Sequence, residues 1–479
     1  MTTTPTTRTS PQRPVHARPA RLAAAVLLAF AALPSAAFAQ SNEDLLKELR
    51  ALRARVDELE KKLQAVPAPP ADGQPAQWGM TPEQAADFNR LVVKTEGMED
   101  ATESNGFKNL KFSGFMDPTF IYNRDRRRAG FQFLSPVNEN GYSYDDGYFG
   151  TLALDFQKEL EGGSKIHVTL MPNRGAGSIA DPTSGSIVHE ASFSIPLGDL
   201  QTRFIGGQIP DWSGYEYTQP TTTKLVTRGL LLDFTEPTTY TGMGMEIIRG
   251  KWDVKGVVAN MNTFKHQDNR VAPVLALRVD YSKGEFSGFG FAGVEGNYAN
   301  FNTGTATHLD LVEADAYFIR GDLTLQGQVG YGHQRDAAIL PDVNGNLQDA
   351  QWLGLSGLAA YKLDPRLEMV GRADFIKNDK NGGGLLGYTA YYDGEGTNGD
   401  YLNGIGASPD CVVGDSGTNC KGANRAALAL GFNYLLTQNT TLKAEYRFDW
   451  ASRPVFYDTD NNLFRKNNHL LGASVVMSF

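Results

Sequence analysis

The chain has 479 residues, 54 of them acidic and 45 basic, a net charge of −9 and a mean hydropathy of −0.34. An acidic balance argues against nucleic acid as a partner, since affinity for a phosphate backbone comes from lysine and arginine. The low hydropathy excludes a bundle of membrane helices but not a β-barrel, whose strands are too short and too alternating for a hydropathy window to register.

Arg8, Arg13, Arg18 and Arg21 precede the apolar run LAAAVLLAFAAL, and Ala37-Phe38-Ala39 supplies the small-x-small pattern of a signal-peptidase site. The run falls short of the ~20 apolar residues of a membrane anchor, so residues 1–39 are expected to be a signal peptide cleaved after Ala39. Its removal takes away four arginines and no acid, leaving 41 basic residues against 54 acidic, a mature charge of −13.

Residues 40–66 follow a different rule. Leu45, Leu49, Leu52, Val56, Leu59, Leu63 and Val66 are spaced alternately by four and three, the seam of a left-handed coiled coil. With Leu49, Val56 and Leu63 at a, Glu48 faces Arg53 and Arg55 faces Glu60 across a parallel interface, each pair opposite in sign. A single amphipathic helix lying on another domain is the alternative. PAPPADGQP then ends the helix as a stiff spacer. A short helix is expected after it, capped by Thr81, with Pro82 at its first position and Phe88, Leu91 and Val92 on one side. Residues 67–108 thus read as a linker that sets the coil apart.

From 109 to 479 the chain repeats one grammar. The short turns EGGS, PLGD, IRGK, SKGE, IRGD, LDPR and LTQN each lie between two alternating segments, and longer polar connections separate the resulting hairpins. Sixteen strands follow, at 109–122, 148–158, 165–171, 187–196, 200–208, 240–248, 252–262 and 272–281, then 286–298, 309–319, 323–331, 352–361, 367–377, 426–435, 440–450 and 468–479. The predicted fold is all-β, a transmembrane antiparallel β-barrel of about sixteen strands preceded by a short periplasmic coiled coil. An even strand count returns both ends of the barrel to the side of the short turns, which is the periplasm if the long loops are extracellular.

The stretch LKAEYRFDW shows why a membrane is the expected setting. Leu442, Ala444, Tyr446, Phe448 and Trp450 share one face, and Lys443, Glu445, Arg447 and Asp449 the other. A sheet can cross lipid only if it closes, and its two faces then meet opposite solvents. Arg278, Asp280, Arg372 and Asp374 are expected to line the lumen with Lys443, Glu445, Arg447 and Asp449, whereas Tyr and Trp fall mostly on the lipid face. About sixteen strands leave an aqueous channel unless something plugs it. Mixed lumen charge predicts weak ion selectivity rather than a dedicated anion ladder.

Cys411 and Cys420 are the only cysteines and enclose a Gly- and Asp-rich loop, which in an exported protein reads as a disulfide. The long connection 378–424 around them matches no motif and is expected to cover the mouth or the subunit surface. Arg124, Arg126, Arg127 and Arg128 follow the first strand at the extracellular mouth, either attracting anions or lipopolysaccharide phosphates or forming a solvated loop tip. The histidines His167, His189, His266, His308, His333 and His469 are scattered without metal-ligand spacing such as HExxH. No enzyme activity, cofactor or metal is expected.

The last strand places Leu471, Ala473, Val475, Met477 and Phe479 on one face and ends in phenylalanine. It resembles the carboxy terminus of Gram-negative outer-membrane porins, where such a strand looks like the signal read by the barrel assembly machinery. The third long loop, IPDWSGYEYTQPTTTKLVTRGLLLDFTEPTT, resembles the OmpL-like family of β-barrel porins through Gly214-Tyr215-Glu216, then Thr227, Arg228, Leu230 and Leu231, then Pro237 and Gly242. That resemblance implies a homotrimeric porin whose third loop folds inward and narrows the pore, with Asp211, Glu216, Lys224, Arg228, Asp233 and Glu236 as constriction candidates. Opposed charges there would orient polar solutes; alternatively Arg228 and Glu216 pair and pin the loop to the wall. The expected function is passive diffusion of small hydrophilic solutes and ions. The alternatives are a structural or adhesive barrel tied to peptidoglycan by its coil, and a channel specific for sugars or anions.

Overall fold

The computed structural model describes residues 87–97, 106–134, 149–171, 187–262, 266–267, 270–271, 273–300, 303–342, 344–386, 404–407, 411 and 420–479. The expected signal peptide and the coil seam from Leu45 to Leu63 lie outside these residues. The chain divides into two units, Met1–Met98 and Glu99–Phe479. In the first, residues 87–97 are helical, with Phe88, Leu91 and Val93 exposed.

The second unit holds a closed antiparallel barrel of sixteen strands. Strand β1 comprises Leu110–Met116 and Thr119–Asn123, and β2 comprises Arg128–Gln132 and Leu152–Glu159. Then come β3 Lys165–Leu170, β4 Val188–Leu197, β5 Asp199–Pro210, β6 Thr239–Arg249 and β7 Trp252–Met261. They are followed by β8 Pro273–Gly284, β9 Ser287–Tyr298, β10 Thr307–Arg320, β11 Leu323–Gln334 and β12 Ala350–Lys362. The last four are β13 Leu367–Lys377, β14 Arg425–Thr437, β15 Thr440–Ala451 and β16 Asn467–Ser478. Each strand pairs with the next, and β16 returns to β1 through Met116↔Met477 and Thr119↔Ser474. A closed sheet has no free edge and pairs its backbone groups across strands.

The seven short turns join β2 to β3, β4 to β5 and so on to β14 and β15, all at one end. At least four of them place a glycine in the left-handed region, among them Gly198 (φ 79°) and Gly321 (φ 58°). The first long connection differs from the expected one. The chain turns at once at Arg124–Arg127 and re-enters the sheet as Arg128–Gln132 beside Thr119–Asn123. It leaves only after that, so the long excursion interrupts β2 rather than preceding it. Five residues, two of them Arg128 and Gly130, are too few to show the period of a strand.

The alternation has turned the usual globular order inside out. On β15, Tyr446 and Trp450 are about two-fifths exposed, whereas Lys443, Glu445, Arg447 and Asp449 are buried. Phe291, Val312, Val329, Leu353, Leu355, Leu428 and Leu471 extend the exposed apolar face round the barrel. Charges enclosed by protein beneath an apolar exterior would be unstable in water and suit a barrel immersed in lipid.

Candidate functional site

The connection between β5 and β6 turns back onto the inner face of the sheet. Its seat begins with charge. Glu216 Oε1 accepts from Arg372 Nη1 of β13 at 2.9 Å, and Glu216 Oε2 accepts the Gly229 amide at 2.6 Å. The same guanidinium donates to Thr227 O at 2.9 Å and through Nε to Asp374 at 3.0 Å. Asp374 in turn accepts from Ser356 of β12, whose hydroxyl lies 2.6 Å from that of Tyr215.

On β15, Glu445 accepts from the Thr227 amide at 2.7 Å, and Arg447 donates to Arg228 O at 2.9 Å. Arg447 and Arg425 both pair with Asp449 at 2.9 Å, and the Arg425 guanidinium lies 5.1 Å from the Phe234 ring. Nearer the short turns, Lys224 pairs with Glu368 at 2.7 Å, and Lys443 donates to Pro220 O and Thr223 O at 2.6 and 2.5 Å.

Apolar packing completes the seat. The helix Leu230–Phe234 is wholly buried, and Tyr215 and Leu225 join Leu358, Ala360, Val370 and Ala429 in one cluster. Glycines on the inward positions leave room for these side chains. A Cβ on Gly354 of β12 would stand 2.8 Å from Leu231 Cγ, and one on Gly472 of β16 would stand 3.0 Å from Val226 Cγ1. The loop therefore lies along β11 to β16, six of the sixteen strands.

Each constriction candidate now has a place. Asp211 accepts from the Ser213 amide and hydroxyl at 2.9 and 3.0 Å. Glu216 meets Arg372, not Arg228, so the pin to the wall is made by a residue of β13, while Arg228 donates to Thr218 O at 3.0 Å. Lys224 meets Glu368, Asp233 is buried in the short helix, and Glu236 accepts from Gln328 of β11. Where these acids and bases meet they are in contact rather than facing across a gap. Of the expected lumen residues, Arg372, Asp374, Lys443, Glu445, Arg447 and Asp449 lie beneath or beside the loop. Arg278 and Asp280 lie on β8 outside that seat, joined at 2.6 Å, and of the two Arg278 is buried and Asp280 partly exposed.

Apart from Arg278 and Asp280, that wall, β2 to β8, is the part sequence reasoning missed. His167 pairs with Asp155 at 2.6 Å and Glu190 at 2.9 Å, and Lys255 with Asp253 at 3.1 Å and Glu246 at 3.3 Å. Arg278 also pairs with Asp315 of β10. Side chains of the His167 and Lys255 groups keep 12–30% exposure, against 0–1% for Arg372 and Arg447 with their aspartate partners. Their signal was available: inward parity on short strands whose outward partners, such as Phe193 and Phe204, are apolar. At the short-turn end a cavity of about 360 Å³ opens between Pro220–Lys224 and the turns around Asp364 and Asn439.

Asp211, Glu236 and Glu313 of β10 form an acidic patch where the loop leaves β5 and returns to β6. Burial pushes the Asp211 carboxyl up from 3.8 to about 6, against the hydrogen bonds from Ser213. Burial, with the charge of Glu313 next, also holds Glu236 well above the ordinary range. An acid raised in the seated state weakens the seat as pH climbs from its ordinary value to its raised one, which for Asp211 is from 3.8 to about 6. Conductance transitions should therefore be rarer near pH 5 than near pH 7.5, and Asp211→Asn should flatten that dependence. Bilayer recordings across the range check it; an equal slope in the variant would remove Asp211 from the account.

Cys411 and Cys420 are disulfide-bonded. The loop they close lies outside the described residues.

A family model described as "Protein of unknown function (DUF3138)" matches residues 79–272 and 283–479. The chain belongs to this family. DUF3138, and not the OmpL-like family that the third loop resembles, is what its sequence matches. No curated protein matches this DUF3138 chain. Among solved structures it is similar to an anion-selective porin from Comamonas acidovorans, at 11% identity and a TM-score of 0.47, over 77% of this chain and 99% of that one. In vitro-folded OmpT, an outer membrane protein of Vibrio cholerae, is similar at 11% identity and TM-score 0.45, over 77% and 97%. Salmonella typhi OmpF in complex with daunomycin gives 11%, 0.46, 77% and 97%.

Proposed function

We propose that this DUF3138 protein is an outer-membrane porin of a Gram-negative bacterium. In this reading a water-filled channel passes small hydrophilic solutes and ions down their gradients, and no reaction is catalysed. The observation that carries it is the loop seated on one side of the charged inner wall, along β11 to β16, which leaves the ion-paired wall of β2 to β8 as the side of a narrowed path. Solutes would pass between the loop and that wall, meeting Asp155, His167, Glu190, Asp253, Lys255 and Asp280. In these ion pairs acids outnumber bases, so selectivity should be weak and lean towards cations.

The exported chain would be folded by the barrel assembly machinery, contact lipopolysaccharide, and assemble as a trimer with the coil in the periplasm, where peptidoglycan is a candidate partner. Single-channel conductance of the refolded mature protein tests the reading. Steps in groups of three are expected, and deletion of residues 213–234 should roughly double the unit conductance or more, since an unplugged barrel of this size is an open channel. Silence from well-folded, heat-modifiable protein, with and without the deletion, would transfer the reading to a structural or adhesive barrel.

A further inference from the structure

On the outer face of the barrel, at its long-loop end, three adjacent strands present ionisable side chains in register. Glu295 of β9 lies opposite Asp310 of β10, which lies opposite His333 of β11. His308 precedes Asp310 by two residues and so shares its face. Donor atoms of Glu295, His308 and Asp310 all lie within 4.8 Å of one another. His308 Nε2 is 3.2 Å from Asp310 Oδ1, and His333 stands between Asp310 Oδ2 at 3.8 Å and Asp349 Oδ2 at 3.3 Å.

We propose that this cluster is a binding site for a zinc-class divalent cation, held by His308, Asp310 and Glu295 with His333 beside them. Imidazole with carboxylate is a donor set that suits zinc and its neighbours better than calcium or magnesium, which take oxygen alone. Ligand atoms on such an ion stand on the order of 3.4 Å apart, so the cluster must contract by about an ångström. Rotation of half-exposed side chains on a rigid sheet can supply that. The surroundings favour an ion as well. The next outward row, Val312 and Tyr331, begins the exposed apolar face, with Phe291, Leu353 and Leu355 around it. Three carboxylates against two imidazoles at the edge of that face leave negative charge that a cation would neutralise, whereas His–Asp pairing alone neutralises at most two of the three.

Calorimetric titration of the folded, detergent-solubilised full chain with Zn²⁺ near neutral pH tests the site, Ca²⁺ serving as the competitor. One saturable zinc site is expected, not displaced by calcium and weakened roughly tenfold or more by His308→Ala and by Asp310→Asn. Glu295→Gln should weaken it less. His308→Gln, which keeps a polar side chain, replaces the alanine variant if that one does not fold. Absence of zinc binding would overturn the proposal, as would zinc affinity unchanged in both variants or calcium competing on equal terms. None of these results depends on whether the barrel conducts.

Discussion

Arg372→Ala will release the third loop and cost about 3–5 kcal/mol, the range for removing one partner of a buried ion pair. The substitution leaves Glu216 and Asp374 facing each other across the space the guanidinium filled, and withdraws the donor to Thr227 O. Neither carboxylate has a route to bulk water while the loop stays seated, so the least costly response is for the loop to lift. Larger, noisier conductance should accompany the lower thermal stability. Arg372→Lys should restore the charge but only part of the seat, because one ammonium cannot reach Glu216, Asp374 and Thr227 in the geometry of a fork. A variant as quiet and as stable as the parent would show that the pair contributes nothing to holding the loop.

Gly354→Val should unseat the same loop without touching a charge. The new side chain would occupy the position of Leu231, whose atoms are the ones nearest to it at 2.8–3.1 Å. Overpacking of this kind costs about 1–3 kcal/mol, and here it should push the Leu230–Phe234 helix off β12. Leu231→Ala added to Gly354→Val should recover both stability and the parental conductance, since it returns the volume that valine takes. A double variant no better than Gly354→Val alone would mean that the glycine serves the strand and not the loop. Such a cycle separates packing from strain because the two positions are in contact.

The barrel was legible because its strands carry two pure faces. Leu442 to Trp450 alternates without a break, and Leu367–Lys377 occupies the span its alternation predicts. Arg128–Gln132 was not legible, being five residues of a strand whose other half comes after an excursion. In the loop, sequence identified the charges but not their partners. Along the chain Glu216 has Arg228, twelve residues away, as a candidate partner, whereas the structure pairs it with Arg372, 156 residues on. The seats of Leu231 and Val226 were invisible for a related reason. Gly354 and Gly472 read as neutral small residues until the opposing loop is in place. His308 and His333 likewise show no spacing along the chain, because the sheet, not a helix turn, brings them together.

The pairing of β16 with β1 has a consequence for how the molecule forms. Every other strand meets partners that are its immediate sequence neighbours, whereas this seam joins segments separated by the fourteen strands between them. Its loop-closure entropy is the largest in the sheet, and nothing local can favour it in advance. The chain can therefore assemble hairpin by hairpin into an open, curved sheet, but the cylinder exists only after its last strand has docked on the first. Until then two unsatisfied edges face the solvent, ready to pair with another chain. Long-range pairing of this kind is slow, so an escort that occupies those edges should shorten the dangerous interval more than anything that speeds the earlier hairpins.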